Sequence, residues 1–350
     1  MTHPRFNAEA IREATRNRAP DFGQLATILR GGAPDRPTLF EFFLNAALEE
    51  ELLGPGVTET DAELRKIRAW RAAGFDHYTC PLNGFAFPRG EREQLRSVSM
   101  SAGGIVRSRA DFEVYPWPEV AAEPDARFRT VERALSDGVR IMVNGPCGVL
   151  ENAVALMGYE DLCVNVMEDE PFAQAFFDAI GSRLLDYYRA AVVQPAVGMI
   201  VSNDDWGFKT QTMLSPDQMR RFVFPWHRRI VEAAHEAGRP VLLHSCGNAT
   251  AIWDDITFGM RFDGKHSFED AIEPIETAYD RHAGDIALFG GIDVDFMCRA
   301  TPEAVFDRAR AMLDRSRTRG RYALGTGNSV PDYMPPVNVY ALWLAAVGED

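Results

Sequence analysis

The residue types best able to do chemistry in this chain stand together in one short run, His244-Ser245-Cys246. The run follows an apolar stretch, Arg239-Pro240-Val241-Leu242-Leu243, and precedes Gly247-Asn248. Such a stretch predicts a buried strand that ends at the histidine. Side chains at i and i+2 of an extended segment point to the same side. A neutral imidazole and a thiolate held that way make a two-point grip for a soft divalent cation, zinc above all. On spacing alone, a buried cysteine beside a hydrogen-bonded histidine is the commoner outcome. The place of the pair in the fold has to decide.

That place is set by a repeating rhythm. Eight short extended segments are expected: Thr38–Phe43, Asp76–Cys80, Arg140–Asn144, Gly198–Ser202, Pro240–His244, Phe262–Ser267, Ile286–Gly290 and Arg321–Gly325. Amphipathic stretches such as Pro216–Gly238 and Pro302–Arg317 lie between them. Ser215-Pro216-Asp217 and Thr301-Pro302-Glu303 open these two with an N-cap, a proline at the first helical position and an acid in the first turn. Strand alternating with helix predicts a parallel sheet with right-handed crossovers. Eight units predict a closed (β/α)8 TIM barrel, an α/β fold. An open doubly wound sheet is the rival, but no G-x-G-x-x-G follows the first strand. Residues 1–35 read as an N-terminal helical extension and 36–350 as the barrel. Pro81–Pro118 breaks the rhythm as a long loop after strand two, with room for a small hairpin.

In such a barrel the chemistry sits at the carboxyl ends of the strands. Strand four ends in Asn203-Asp204-Asp205-Trp206-Gly207, strand six in Lys265-His266-Ser267-Phe268-Glu269-Asp270 and strand eight in Gly325-Thr326-Gly327-Asn328-Ser329. Asp205 and Glu269 are the expected catalytic acids. Asp204, Trp206, Lys265 and Asn328 are the expected substrate contacts, and His244 and Cys246 the metal ligands. Each has a plainer reading. Asp204 and Asp205 would also cap a helix, Glu269 and Asp270 would also begin one, and Asn328 would also serve a turn. Trp206 would also be core or pocket wall. Cys298 is expected to pack in a helix, and His227 and His235 to be surface or structural.

Composition narrows the partners. The 350 residues carry a net charge of −14 with no basic cluster, which argues against nucleic acid or an anionic membrane surface. Five scattered cysteines imply no disulfide framework and favour a reducing compartment. The first twenty residues are charged and lack a signal-peptide core. No stretch approaches the roughly 18 apolar residues of a membrane span. A cytoplasmic protein is expected, with a homodimer possible.

The chain resembles the uroporphyrinogen decarboxylase superfamily, and within it the cobalamin-dependent methyltransferase branch. The resemblance runs from about Pro37 to the C-terminus. It is carried by Asn203-Asp204-Asp205-Trp206-Gly207 with Ser215-Pro216, Pro225-Trp226, His244-Ser245-Cys246-Gly247-Asn248, Gly290-Gly291-Ile292-Asp293, and Gly325-Thr326-Gly327-Asn328-Ser329 with Pro335-Pro336-Val337-Asn338. The histidine–cysteine block favours the methyltransferase branch. The arginine-rich N-terminal signature of true decarboxylases is missing, and Arg36-Pro37-Thr38-Leu39-Phe40-Glu41 stands there instead. The resemblance implies zinc held by histidine and cysteine, and a corrinoid carried by a separate small protein. It also implies methyl transfer between that cobalt and a small methylated substrate. Thiol-methylating relatives place a third cysteine near the end of strand eight, where this chain has Gly325-Thr326-Gly327-Asn328. Asp205, Glu269 or Cys298 is therefore expected to complete the shell. The missing cysteine favours the demethylase half-reaction, on a methoxylated or methylated-amine donor. The alternative is a metal-free decarboxylase with cations for several carboxylates, drawing on Lys265, Lys209 and Arg89.

Overall fold

The computed structural model describes residues 3–89 and 104–348. Seven strands form one all-parallel sheet in sequential order: β1 His77–Thr79, β2 Arg140–Asn144, β3 Val197–Asn203, β4 Val241–His244, β5 Gly264–His266, β6 Ala287–Phe289 and β7 Tyr322–Ala323. Helices fill most crossovers, among them Glu170–Val192 before β3, Phe224–Glu236 before β4 and Pro302–Ser316 before β7. The last is capped as the sequence predicts, with the Thr301 hydroxyl accepting from the Ala304 N–H. The expected Pro216–Gly238 helix is not continuous. A π-helical turn, Met219–Val223, interrupts it just before Pro225, whose missing N–H cannot complete the ladder.

The sheet curls toward closure. The expected first strand, Thr38–Phe43, is reduced to one parallel bridge between Leu39 and Leu324, backed by Phe40 N–H to Leu324 O and Leu324 N–H to Thr38 O. On its other side, side chains replace the ladder. His77 Nε2 reaches the Glu41 carbonyl at 3.1 Å, and Thr79 Oγ1 donates to the Phe42 carbonyl at 3.1 Å. The result is TIM-barrel-like, with seven regular strands among the described residues. Part of the long loop, 90–103, where a hairpin was expected, lies outside the described residues. Its later part forms the short helix Arg109–Val114.

Alternation along the strands separates two cores. Met142, Met199, Val201, Leu242, Ala287, Phe289 and Ala323 point inside the sheet with Phe40 and Phe42. Their neighbours Ile141, Val143, Val197, Ile200, Val241 and Leu243 point outward under the helices. Leu25, Ile28 and Leu29 of the helix Gly23–Leu29 join the inner cluster, so the N-terminal segment plugs the barrel. Among the described residues, no helix is long and apolar enough to cross a membrane.

Glu41 fastens the seam. Its carboxyl accepts from Thr326 N–H at 3.0 Å, Thr326 Oγ1 at 2.6 Å and Trp343 Nε1 at 3.4 Å. Burial outweighs these donors and raises the carboxyl to about 7. An acid raised in the folded state adds stability below its unfolded value near 4.5, and that stability is lost as pH rises through 7. Relative to Glu41→Gln, the wild type is therefore expected to lose about 3 kcal/mol between pH 4.5 and 7. Thermal melts of both proteins across that range check it. Parallel pH curves would show that Glu41 is ionised inside the fold.

Candidate metal centre

The register of two strands builds the centre. β4 pairs with β5 so that Leu242 faces Gly264 and, two residues on, His244 faces His266. Leu242 points inside the barrel, so His244 does too. The two imidazoles meet Nδ1 to Nδ1 at 2.8 Å, and both are buried. Phe42 stacks on His244 with ring centres 4.6 Å apart, and Phe40 meets His266 edge-on at 5.1 Å.

The hydrogen bonds set the tautomers. His266 Nε2 lies 3.3 Å from the Thr326 carbonyl, which can only accept, so that nitrogen carries the proton. Burial holds His266 well below the usual imidazole range and His244 down to about 4, so both rings are neutral. His266 Nδ1 must then accept, and His244 Nδ1 must donate. The lone pair of His244 is left on Nε2, which lies 3.8 Å from Cys246 Sγ. A partner that fixes the far nitrogen of a ligating histidine supports affinity by about 10–100-fold. His266→Phe is expected to weaken metal binding by about that factor while the apo-protein stays folded. Chelator competition measures this, and an unchanged affinity would remove His266 from the site.

Asp205 comes from the loop after β3. It accepts the Cys246 backbone N–H on Oδ1 at 2.9 Å. The approach needs two glycines. A Cβ on Gly247, whose φ is +85°, would meet the Gly207 carbonyl oxygen at 2.0 Å, and one on Gly207 would meet the Asn248 nitrogen at 2.6 Å. With the loops this close, one ligand atom each of Asp205, His244 and Cys246 lie within 4.8 Å of one another. Glu269 and Cys298, the other expected ligands, are outside this group. Asn328 Nδ2 and Ser267 Oγ both point to Cys246 Sγ, at 3.1 and 3.5 Å. Burial, then the nearby Asp205 carboxylate, push the Cys246 thiol up to about 12.

These features fit a divalent cation. Oxygen, nitrogen and sulfur donors converge, and the sulfur sits among donors suited to a thiolate. A tetrahedral zinc with ordinary bond lengths separates its nitrogen and sulfur ligands by about 3.6 Å, close to the 3.8 Å between His244 and Cys246. A bound cation would also reverse the electrostatics that now hold the thiol protonated.

Two expected substrate contacts face elsewhere. Asp204 is fully buried, its oxygens taking the N–H groups of Leu150 and Glu151 at 2.9 and 2.8 Å and His227 Nε2 at 2.9 Å. His227 Nδ1 meets Ser202 Oγ at 2.9 Å. Asp204 therefore ties β3 to the helices Val149–Met157 and Phe224–Glu236; it takes N–H groups from the first turn of the former, and no helix begins at Trp206 for it to cap. Trp206 is buried against Phe224 and His227. His266 and Thr326 were not expected to serve the centre. The signal was a histidine at the end of each of two consecutive strands, which matters only once the register is known.

Asn328, Glu269 and Lys209 line a cleft of about 1160 Å³ over the carboxyl ends of the strands. Through Asn328 it reaches Cys246. Phe268, Asp293, Phe296 and Tyr333 line it too, and Cys298 enters from the helix Val294–Arg299. Lys265 is buried beneath the rim, and its Nζ donates to the carbonyls of Ser267 at 2.7 Å and Ser245 at 3.3 Å.

A curled parallel sheet, with residues able to hold a metal and a cleft at its carboxyl ends, defines a TIM-barrel-like α/β protein. The chain belongs to the uroporphyrinogen decarboxylase family, whose model matches residues 127–348. A methyltransferase from Methanosarcina mazei has the same fold, with a TM-score of 0.70 and 16% identity over 97% of this chain and 98% of that one. The intracellular xylanase TsXylA of Thermoanaerobacterium saccharolyticum is more distant, at a TM-score of 0.38 and 10% identity over 84% of this chain and 89% of that one. No curated protein matches the sequence.

Proposed function

We propose that this protein is a zinc-assisted methyltransferase. It moves a methyl group between a small methylated substrate and a corrinoid carried by a separate small protein, with demethylation of the substrate as the favoured half-reaction. The observation that carries the reading is the convergence of Asp205, His244 and Cys246 beside the cleft. Bound there, zinc would supply Lewis acidity to the reacting group. His244 offers Nε2 because His266 and Thr326 fix its other nitrogen. Asp205 completes the protein ligands and holds the Cys246 backbone. Asn328 and Ser267 steady the Cys246 sulfur as a thiolate, and Asn328 also faces the substrate. Glu269 and Lys265 serve the substrate from the neighbouring rim. Asp204 and Trp206 act behind the loop that carries Asp205.

The decarboxylase alternative has less support. Arg89 is engaged by Cys147 and Asn152, and Lys265 by two carbonyls, so few cations are left for several carboxylates. The test is elemental analysis of purified protein followed by methyl transfer to a corrinoid protein. About one zinc per chain and zinc-dependent transfer are expected. Transfer that persists in metal-free protein would overturn the zinc role.

A further inference from the structure

Two opposite charges line one small pocket without meeting. The pocket lies between the loops after β4 and β5, beside Ser267 and Gly247, and has about 20 Å³ of room, space for one water-sized group. Phe268 and Glu269 border both this pocket and the large cleft.

Lys265 is 2% exposed on the wall of this pocket. Its ammonium has three N–H groups, and the carbonyls of Ser245 and Ser267 take two. Among the described residues no carboxylate pairs with it. Beyond these carbonyls the ammonium has the Phe268 ring, a weaker partner than the carboxylate a ligand could offer. Glu269 is the matching anion, and among the described residues no hydrogen bond or ion pair reaches its carboxylate. Glu273 and Asp205 act on Lys265 more strongly than Glu269 does, but both have partners in the protein, Asp205 taking the Cys246 backbone N–H. Glu273 is held by Arg281 at 2.7 Å, Asp270 by Arg308 at 2.7 Å and Asp295 by Arg299 at 2.7 Å.

We propose that the methyl donor is a small zwitterion, an N-methylated amino acid. Its carboxylate takes the spare N–H of Lys265, and its methylated ammonium sits against Glu269 and the aromatic wall of the cleft. The inference rests on the methyltransferase reading and names its substrate class. A neutral methoxylated donor would cover both charges and satisfy neither. A simple methylated amine would satisfy Glu269 and leave Lys265 unpaired. Cations are already drawn to rings here: Lys265 Nζ lies 4.5 Å from the Phe268 ring centre, and the Arg308 guanidinium 4.8 Å from that of Phe296.

The test is calorimetric titration of the zinc-loaded protein with four probes: trimethylglycine, tetramethylammonium, acetate and anisole. Trimethylglycine is expected to bind at least about tenfold tighter than the other three, the worth of one charge-assisted hydrogen bond. Lys265→Met is expected to bring it down to the level of tetramethylammonium, and Glu269→Gln to that of acetate. If Lys265→Met fails to fold, Glu269→Gln and the wild-type series decide. Equal binding of anisole or tetramethylammonium, or an undiminished affinity in a folded variant, overturns the inference. Methyl transfer from a methoxylated donor without zwitterion preference would sink this proposal and spare the methyltransferase reading. Tight zwitterion binding without transfer to a corrinoid would do the opposite.

Discussion

Replacing Cys246 with alanine is expected to strip the centre of its metal and abolish methyl transfer, with the fold retained. Zinc binding by four protein ligands is worth about 10–16 kcal/mol, so each ligand contributes about 3 kcal/mol or more. The centre offers three protein ligands, and losing the sulfur would leave one imidazole and one carboxylate. Affinity should fall more than about a hundredfold, and zinc should be lost on dialysis. The fold should survive, because Cys246 lies beyond the end of β4 and is only half-buried. The paired measurement is zinc content and melting temperature of wild type and variant. Full zinc in the variant would mean that the sulfur is not a ligand. Loss of folding together with zinc would mean that the metal is structural. Asp205→Ala should show the same loss of metal, since it removes a ligand and frees the Cys246 backbone N–H.

Asp204→Ala should behave in the contrary way, with a large loss of stability. The substitution leaves Leu150 N–H, Glu151 N–H and His227 Nε2 without their shared acceptor in a fully buried site. Removing one partner of such a buried charged network costs about 3–5 kcal/mol. That corresponds to a fall in Tm of about 5–10 °C for a large domain. Thermal melts of the two variants separate the neighbours: alanine at 204 should unfold early, and alanine at 205 should melt near the wild-type apo-protein. A mild effect at 204 accompanied by weaker substrate binding would return Asp204 to the pocket. His227→Ala should share much of the Asp204 defect without adding to it, because the two side chains act as one unit.

The alternation of apolar runs with amphipathic stretches was enough to read a parallel sheet with helical crossovers. It also put the chemistry at the strand ends. Six of the eight expected segments contain a strand within their bounds, and Gly198–Ser202 falls within the longer β3. Thr38–Phe43 shows where local reading stops. Its residues favour a strand, yet its edge toward β1 is bridged by the His77 and Thr79 side chains in place of a backbone ladder. Its inner residues Phe40 and Phe42 still pack where a strand would place them.

The same division runs through the site. Residue type and i, i+2 spacing by themselves determined that His244 and Cys246 could share a ligand, because those properties are local to one strand end. The third candidate ligand was not local. Asp205, Glu269 and Cys298 all offer suitable atoms, and only the contact between the loops at Gly207 and Gly247 brings Asp205 into reach. Adjacent residues also parted company. Asp204 and Asp205 are chemically identical in the sequence, but one is turned into the protein toward two backbone N–H groups and the other toward the Cys246 loop. The tautomer of His244 lies further still from the sequence. It depends on the β4–β5 register and on Thr326, 82 positions beyond His244 in the chain. Composition and periodicity report what each segment buries. Which groups then meet depends on register, loop approach and burial, and these exist only when the sheet has closed.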